Sequence, residues 1–181
     1  MEINRKIGLG LVAGLLTAFT ACSSGENKQA GSGHEGHAHE EAANEAGNPQ
    51  FKDEKTKEVY QHYVHLKTAL VNTDAKEAQA GAAALQTAMT NAGNTEGADI
   101  AGKIASASDI KQQRDQFDEL TDVVENLVKS AGLSGGKIFK QYCPMAKEGE
   151  GAYWLASETE IRNPYYGDEM LECGEVKEEI K

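Results

Sequence analysis

Apolar residues recur along this chain in changing rhythms, and each change of rhythm predicts a change of structure. An apolar run from Ile7 to Phe19 follows Arg5 and Lys6 and ends in Thr20-Ala21-Cys22. From Ser23 to about Gln50 the chain is Gly, Ala, Ser, Asn, Glu and His with no apolar period. Such a stretch has too little to bury to offset the entropy of ordering it, which predicts a disordered tether. The first helical stripe follows, with Val59, Tyr63, Leu66 and Leu70 spaced four, three and four residues apart between Asp53 and Asn72. Asp74 with Glu77 has capping-box spacing, and the alanine-rich stretch from Ala75 to Thr90 predicts a second helix. Asn91 to Gly97 breaks that pattern, and a short third helix is predicted around Ala98 to Ala105. Ser108 or Asp109 then caps a fourth, in which Ile110, Phe117, Leu120, Val124 and Leu127 recur at helical spacing until Gly132, a residue suited to the position just past a helix end.

Beyond Gly135-Gly136 the period shortens. Lys137-Ile-Phe-Lys-Gln-Tyr142 and Ala152-Tyr-Trp-Leu155 are β-prone runs separated by a glycine-containing loop, which predicts a hairpin or irregular pair. Asn163-Pro-Tyr-Tyr-Gly167 punctuates a turn, and residues 177–181 read as an acidic tail. Short connections between amphipathic helices favour antiparallel neighbours. The expected fold is therefore mainly α: a small antiparallel, up-and-down helical bundle over residues 51–176 with a C-terminal β-hairpin or irregular segment.

The charged start and the short apolar run identify residues 1–21 as a signal peptide rather than a membrane span, since a spanning helix needs roughly 20 apolar residues. Cys22 directly follows small residues, where bacterial lipoprotein processing attaches acyl chains; ordinary cleavage with Cys22 unmodified is the other reading. The expected location is the bacterial cell envelope, membrane-anchored and facing the periplasm or cell surface, with residues 22–50 as the lipidated cysteine and tether. Removing residues 1–21 takes away two bases and one acid, which leaves 16 against 28 and a formal charge of −12. That surplus disfavours nucleic acid as a partner and suits cations or basic proteins. No enzyme is expected. A phosphate loop ending at Lys137 fails because Ala131 occupies the first glycine position and Ile138 the magnesium-binding hydroxyl position, and no Gly-x-Ser-x-Gly elbow occurs.

With Cys22 consumed by the anchor, Cys143 and Cys173 remain together in an oxidising compartment, and two readings stay open. Cys143-Pro-Met145 and Met170-Leu-Glu-Cys173 supply two thiols and two thioethers in a chain with four methionines, and soft sulfur ligands select Cu(I) or Ag(I) over hard cations. Alternatively the cysteines form a disulfide worth about 3 kcal/mol and the methionines are packing. His62 and His65 lie three apart on the first helix, so His65 could approach the sulfurs if the C-terminal segment folds back there. On the tether His34, His37 and His39 offer weak metal capture. Trp154, Tyr165 and Tyr166 are expected in core and turn packing.

Several stretches resemble a bacterial envelope domain of unknown function: His62-Tyr-Val-His-Leu-Lys-Thr-Ala-Leu-Val71, Arg114-Asp-Gln-Phe117, Gln141-Tyr-Cys-Pro-Met-Ala146, Gly151-Ala-Tyr-Trp-Leu155 and Glu160-Ile-Arg-Asn-Pro-Tyr-Tyr-Gly167 through Met170-Leu-Glu-Cys-Gly174. That domain is found in small secreted proteins and lipoproteins and at the C-terminus of periplasmic adaptor (membrane-fusion) subunits of copper and silver efflux pumps. The resemblance covers roughly residues 51–176. It implies heavy-metal handling, chiefly of copper, with an efflux-pump or other envelope protein as partner. Cys143, Met145, Met170, Cys173 and His65 match its pattern, but the adaptors' Cys-Pro-Met-His-Pro motif is interrupted, since Ala146 and Lys147 follow Met145. The implied function is a lipid-anchored periplasmic protein that buffers or delivers Cu(I); the alternative is a disulfide-stapled envelope interaction module without metal.

Overall fold

The computed structural model describes residues 46–181. It is mainly helical, with α1 (Glu54–Val71), α2 (Ala75–Asn91), α3 (Thr95–Ser106) and α4 (Ile110–Ala131) packed in sequence and α4 closing back against α1. The connections are Asn72-Thr73-Asp74, Ala92-Gly93-Asn94 and Ala107-Ser108-Asp109, each ending on the residue that caps the next helix. Asp53, Asp74 and Asp109 accept hydrogen bonds from backbone N–H groups of the first turn, which satisfies donors that a helix start leaves free. Asn94 does the same for α3 through Gly97 N at 2.8 Å. That cap is why the third helix begins at Thr95 rather than near Ala98: the expected break over Asn91 to Gly97 shrinks to three residues once Asn94, and not the glycine, is the boundary.

The apolar stripes meet as their spacing requires. Val59, Tyr63, Leu66 and Leu70 of α1 and Phe117, Leu120 and Val124 of α4 are all fully buried. Helix α2 approaches α1 on small residues, Ala78 and Ala82 being fully buried, and a Cβ placed on Gly81 would lie 3.3 Å from the Leu66 Cα.

Two small sheets cover the bundle. Strands β1 (Gln50–Phe51) and β2 (Leu133–Gly135) pair antiparallel, while β3 (Ile138–Cys143) forms the expected hairpin with β4 (Ala152–Ala156), from Phe139 opposite Ala156 to Cys143 opposite Ala152. Two boundaries differ from expectation. The acidic closing segment is a strand, β5 (Glu175–Ile180), paired with the other edge of β3 from Ile138 opposite Ile180 to Tyr142 opposite Glu175. Only Ile180 of β5 is buried, so its residues carry no alternation that marks a strand. It is held by the open edge of β3 and by ion pairs of Glu178 with Lys129 at 2.8 Å and Glu179 with Lys137 at 3.3 Å. The stretch expected as tether also joins the domain before its end, at Ala46, which bridges Glu158, and at Gly47, whose carbonyl accepts from Lys137 N at 2.8 Å.

Tyr63 ties the bundle to the sheets. Its buried hydroxyl lies 2.8 Å from Thr121 Oγ1 of α4 and accepts from Leu155 N of β4 at 3.0 Å. Its ring stacks 5.2 Å from Phe117, which meets Tyr165, which in turn meets Trp154 edge-on. Among the described residues no helix is long and apolar enough to cross a membrane.

Candidate soft-metal site

The site is assembled by strand register. The β3–β5 ladder ends with Tyr142 opposite Glu175, so continuing both strands toward the end of the sheet leads to Cys143 on one side and to Gly174 and Cys173 on the other. Gly174 makes the approach possible: at φ 150° a Cβ would lie 2.8 Å from the Trp154 ring and 3.0 Å from the Tyr142 carbonyl oxygen. Cys173 therefore arrives against the end of β3, beside Cys143. Both are free thiols, Cys143 buried and Cys173 partly exposed. The hydrogen bond to Cys143, followed by burial and by the neighbouring Cys143 charge, raises the Cys173 thiol above its usual range; the Met145 N–H, which favours the thiolate, opposes that rise.

The Cys173 side is held by Asn163, which is fully buried. Its amide donates to the Cys173 carbonyl at 2.9 Å, and its side-chain oxygen accepts from Tyr165 N at 2.8 Å and Tyr166 N at 3.3 Å. The Asn163 N–H donates to the Leu171 carbonyl at 2.8 Å. One side chain thus fastens the Asn-Pro-Tyr-Tyr turn to the segment carrying Cys173. Arg114 of α4 anchors the same turn to the bundle, donating to the Pro164 carbonyl at 2.8 Å and to the Leu70 carbonyl at the end of α1 at 2.9 Å. Desolvation lowers its guanidinium below the ordinary range, against the pull of Glu169. Neither Asn163 nor Arg114 was singled out in the sequence as a ligand-positioning residue. Asn before Pro was legible only as a turn, and the burial of its amide depends on a partner ten residues later.

On the Cys143 side the chain turns sharply through Met145 and the helical turn Ala146–Gly149. Lys147 and Glu148 there adopt left-handed φ values of 52° and 60°, unusual for residues with side chains. The Tyr166 hydroxyl donates to the Met145 carbonyl, and Lys147 pairs with Asp118 of α4. Met145 and Met170 are exposed, at 52% and 37%, and each lies within three residues of a thiol. Cys173 N donates to the Met170 carbonyl at 3.1 Å, so Met170 opens the tight turn that ends at that thiol.

The structure pairs His65 with α2. His65 is on the exposed side of α1 and its Nε2 lies 2.8 Å from Glu77 Oε1 of α2. Among the described residues no three His, Cys, Asp or Glu side chains stand close enough to hold a metal ion together. The reason is topological: residues 155–158 reach α1 at Tyr60, Tyr63 and Lys67 and Gly167 reaches its C-terminal end, whereas His65 faces Glu77 of α2. Trp154 and Tyr165 are buried as expected, and the Tyr165 hydroxyl donates to the Tyr153 carbonyl at 2.6 Å. Cys22, His34, His37 and His39 lie outside the described residues.

What remains at this end of the sheet is a pair of neighbouring thiols, flanked in sequence by two exposed thioethers, a donor set with the softness that Cu(I) prefers. Residues 59–136 match the model of a family described as a protein of unknown function (DUF3347). The match spans the helices and β2 and stops before β3, so both cysteines lie beyond it. No curated protein and no solved structure matches the chain.

Proposed function

We propose that this chain is a lipid-anchored periplasmic copper-binding protein whose Cys143 and Cys173 hold Cu(I), with Met145 and Met170 as thioether ligands, and that it buffers the ion or delivers it to an efflux-pump or other envelope protein. The observation that carries this is the strand register that brings Cys143 and Cys173, 30 residues apart in sequence, to the same end of one sheet. Thiols brought together there can share one soft ion, and such ligands are poor ones for magnesium or calcium. His65 is left out of the ligand set. His34, His37 and His39 serve as weak collectors on the tether, and the signal peptide and Cys22 place the domain at the membrane.

Competitive titration with Cu(I) and a chromophoric chelator tests this on reduced protein in which His34, His37 and His39 are replaced by alanine. One tightly held ion per chain is expected, with affinity reduced at least about tenfold in Cys143→Ser and again in Cys173→Ser, the scale seen when metal-site groups are removed. Equal affinity in the parent and both variants would eliminate the site.

Two thiols at the same end of one sheet also keep the stapled interaction module as a second reading. A thiol count on protein taken from the envelope without reductant separates the two. No reactive thiol and no bound metal would favour the staple.

A further inference from the structure

We propose that Cys173 is a site of thiol–disulfide exchange with low-molecular-weight disulfides and that Cys143 is its resolving partner, so that the pair opens and closes reversibly. The two thiols stand at the same end of the sheet yet are unequal. Cys143 is fully buried at the end of β3, whereas Cys173 is partly exposed between the Met170 turn and Gly174. A glutathione-sized reagent can reach only the second. Thiol exchange needs access for the entering thiol, whereas the resolving thiol needs only proximity to the mixed disulfide. A group already placed beside it acts at a high effective concentration, which makes the second step fast.

The steps balance without any further reagent. The Cys173 thiol gives up its proton and attacks one sulfur of R–S–S–R, forming Cys173–S–S–R and releasing RS⁻. The Cys143 thiol gives up its proton and attacks the Cys173 sulfur, forming the Cys143–Cys173 disulfide and releasing the second RS⁻. The protein loses two protons and two electrons, and the small disulfide becomes two thiols. This asymmetry stands on exposure and placement, not on the metal reading. Its regulatory consequence does rest on that reading: closure removes both thiolates and would release Cu(I).

The test uses the full chain carrying Cys22→Ser, so that two thiols remain, with oxidised glutathione as the probe and intact-mass spectrometry as the readout. The parent is expected to lose both thiols, keep no glutathione, and regain both thiols with dithiothreitol. Cys143→Ser, and Cys143→Ala as its check, should each trap one glutathione on Cys173. Cys173→Ser should acquire none, or acquire it at least ~10-fold more slowly. Emission from Trp154, the only tryptophan, reports whether each variant is folded. The proposal is overturned if folded Cys173→Ser is modified on Cys143 as fast as Cys143→Ser is on Cys173, or if the parent accumulates a stable glutathione adduct. Preloading the parent with one Cu(I) should block exchange. Exchange that proceeds as described but is indifferent to copper leaves the thiol relay standing and removes the metal reading; copper binding without exchange does the reverse.

Discussion

Replacing Asn163 by alanine is expected to destabilise the domain by about 3 kcal/mol and to weaken Cu(I) binding at least tenfold although no ligand is touched. The side chain is fully buried and makes three hydrogen bonds, one to the Cys173 carbonyl and two from the N–H groups of Tyr165 and Tyr166. Alanine leaves those groups without their partners in a place too enclosed for water to replace all of them. Each orphaned backbone group costs about 1–3 kcal/mol, and partial relaxation keeps the total below their sum. The same change frees the segment that brings Cys173 beside Cys143. Asn163→Asp retains the oxygen that accepts from Tyr165 and Tyr166 and loses the donor to Cys173, so it should fall between the two. Urea unfolding followed at Trp154, combined with chelator competition, checks both effects. A loss of stability under about 1 kcal/mol would show that the turn is held by other contacts.

Removing the Phe117 ring should cost still more in stability and far less in selectivity for metal. The ring is fully buried, stacked at 5.2 Å on Tyr63 and tilted at 5.9 Å against Tyr165. It therefore joins α1 to the turn that carries Asn163. A Phe→Ala change in such a position costs about 3–5 kcal/mol through lost burial and the cavity left behind. Domains of this size have only about 5–15 kcal/mol in reserve. Phe117→Ala should thus leave a marginal fold, and Phe117→Leu, which fills most of the space, should lose less than half as much. Equilibrium denaturation of both variants decides it. Near-identical stabilities of Phe117→Ala and the parent would mean that the aromatic column does not bear the packing assigned to it.

How much of this could be read along the chain depends on distance in sequence. Helices α1, α2 and α4 were legible because the signals are local: Asp53, Asp74 and Asp109 sit one residue before the helix, and the apolar stripe repeats within it. Helix α3 was legible only in part, since Gly97 reads as a breaker until Asn94 is recognised as the cap. Strand β5 was hidden because an edge strand with five exposed residues has the composition of a solvated tail. Its pairing is imposed from outside, by the vacant edge of β3. The sulfur chemistry was visible as residue types, but the approach of Cys173 to Cys143 is set by a register, a glycine at φ 150° and the buried amide of Asn163, none of which has a local signature. His65 was legible only in part, for a related reason. Its helical phase was readable, whereas which element packs against that phase was not, and the neighbour is Glu77 of α2.

Copper X-ray absorption on reduced protein loaded with one Cu(I) per chain, and lacking His34, His37 and His39, addresses the central claim most directly. A first coordination shell of sulfur alone is expected, lost or replaced by nitrogen and oxygen in the Cys143→Ser, Cys173→Ser double variant. A nitrogen- or oxygen-dominated shell in the parent, or a spectrum unchanged by the double substitution, would contradict it.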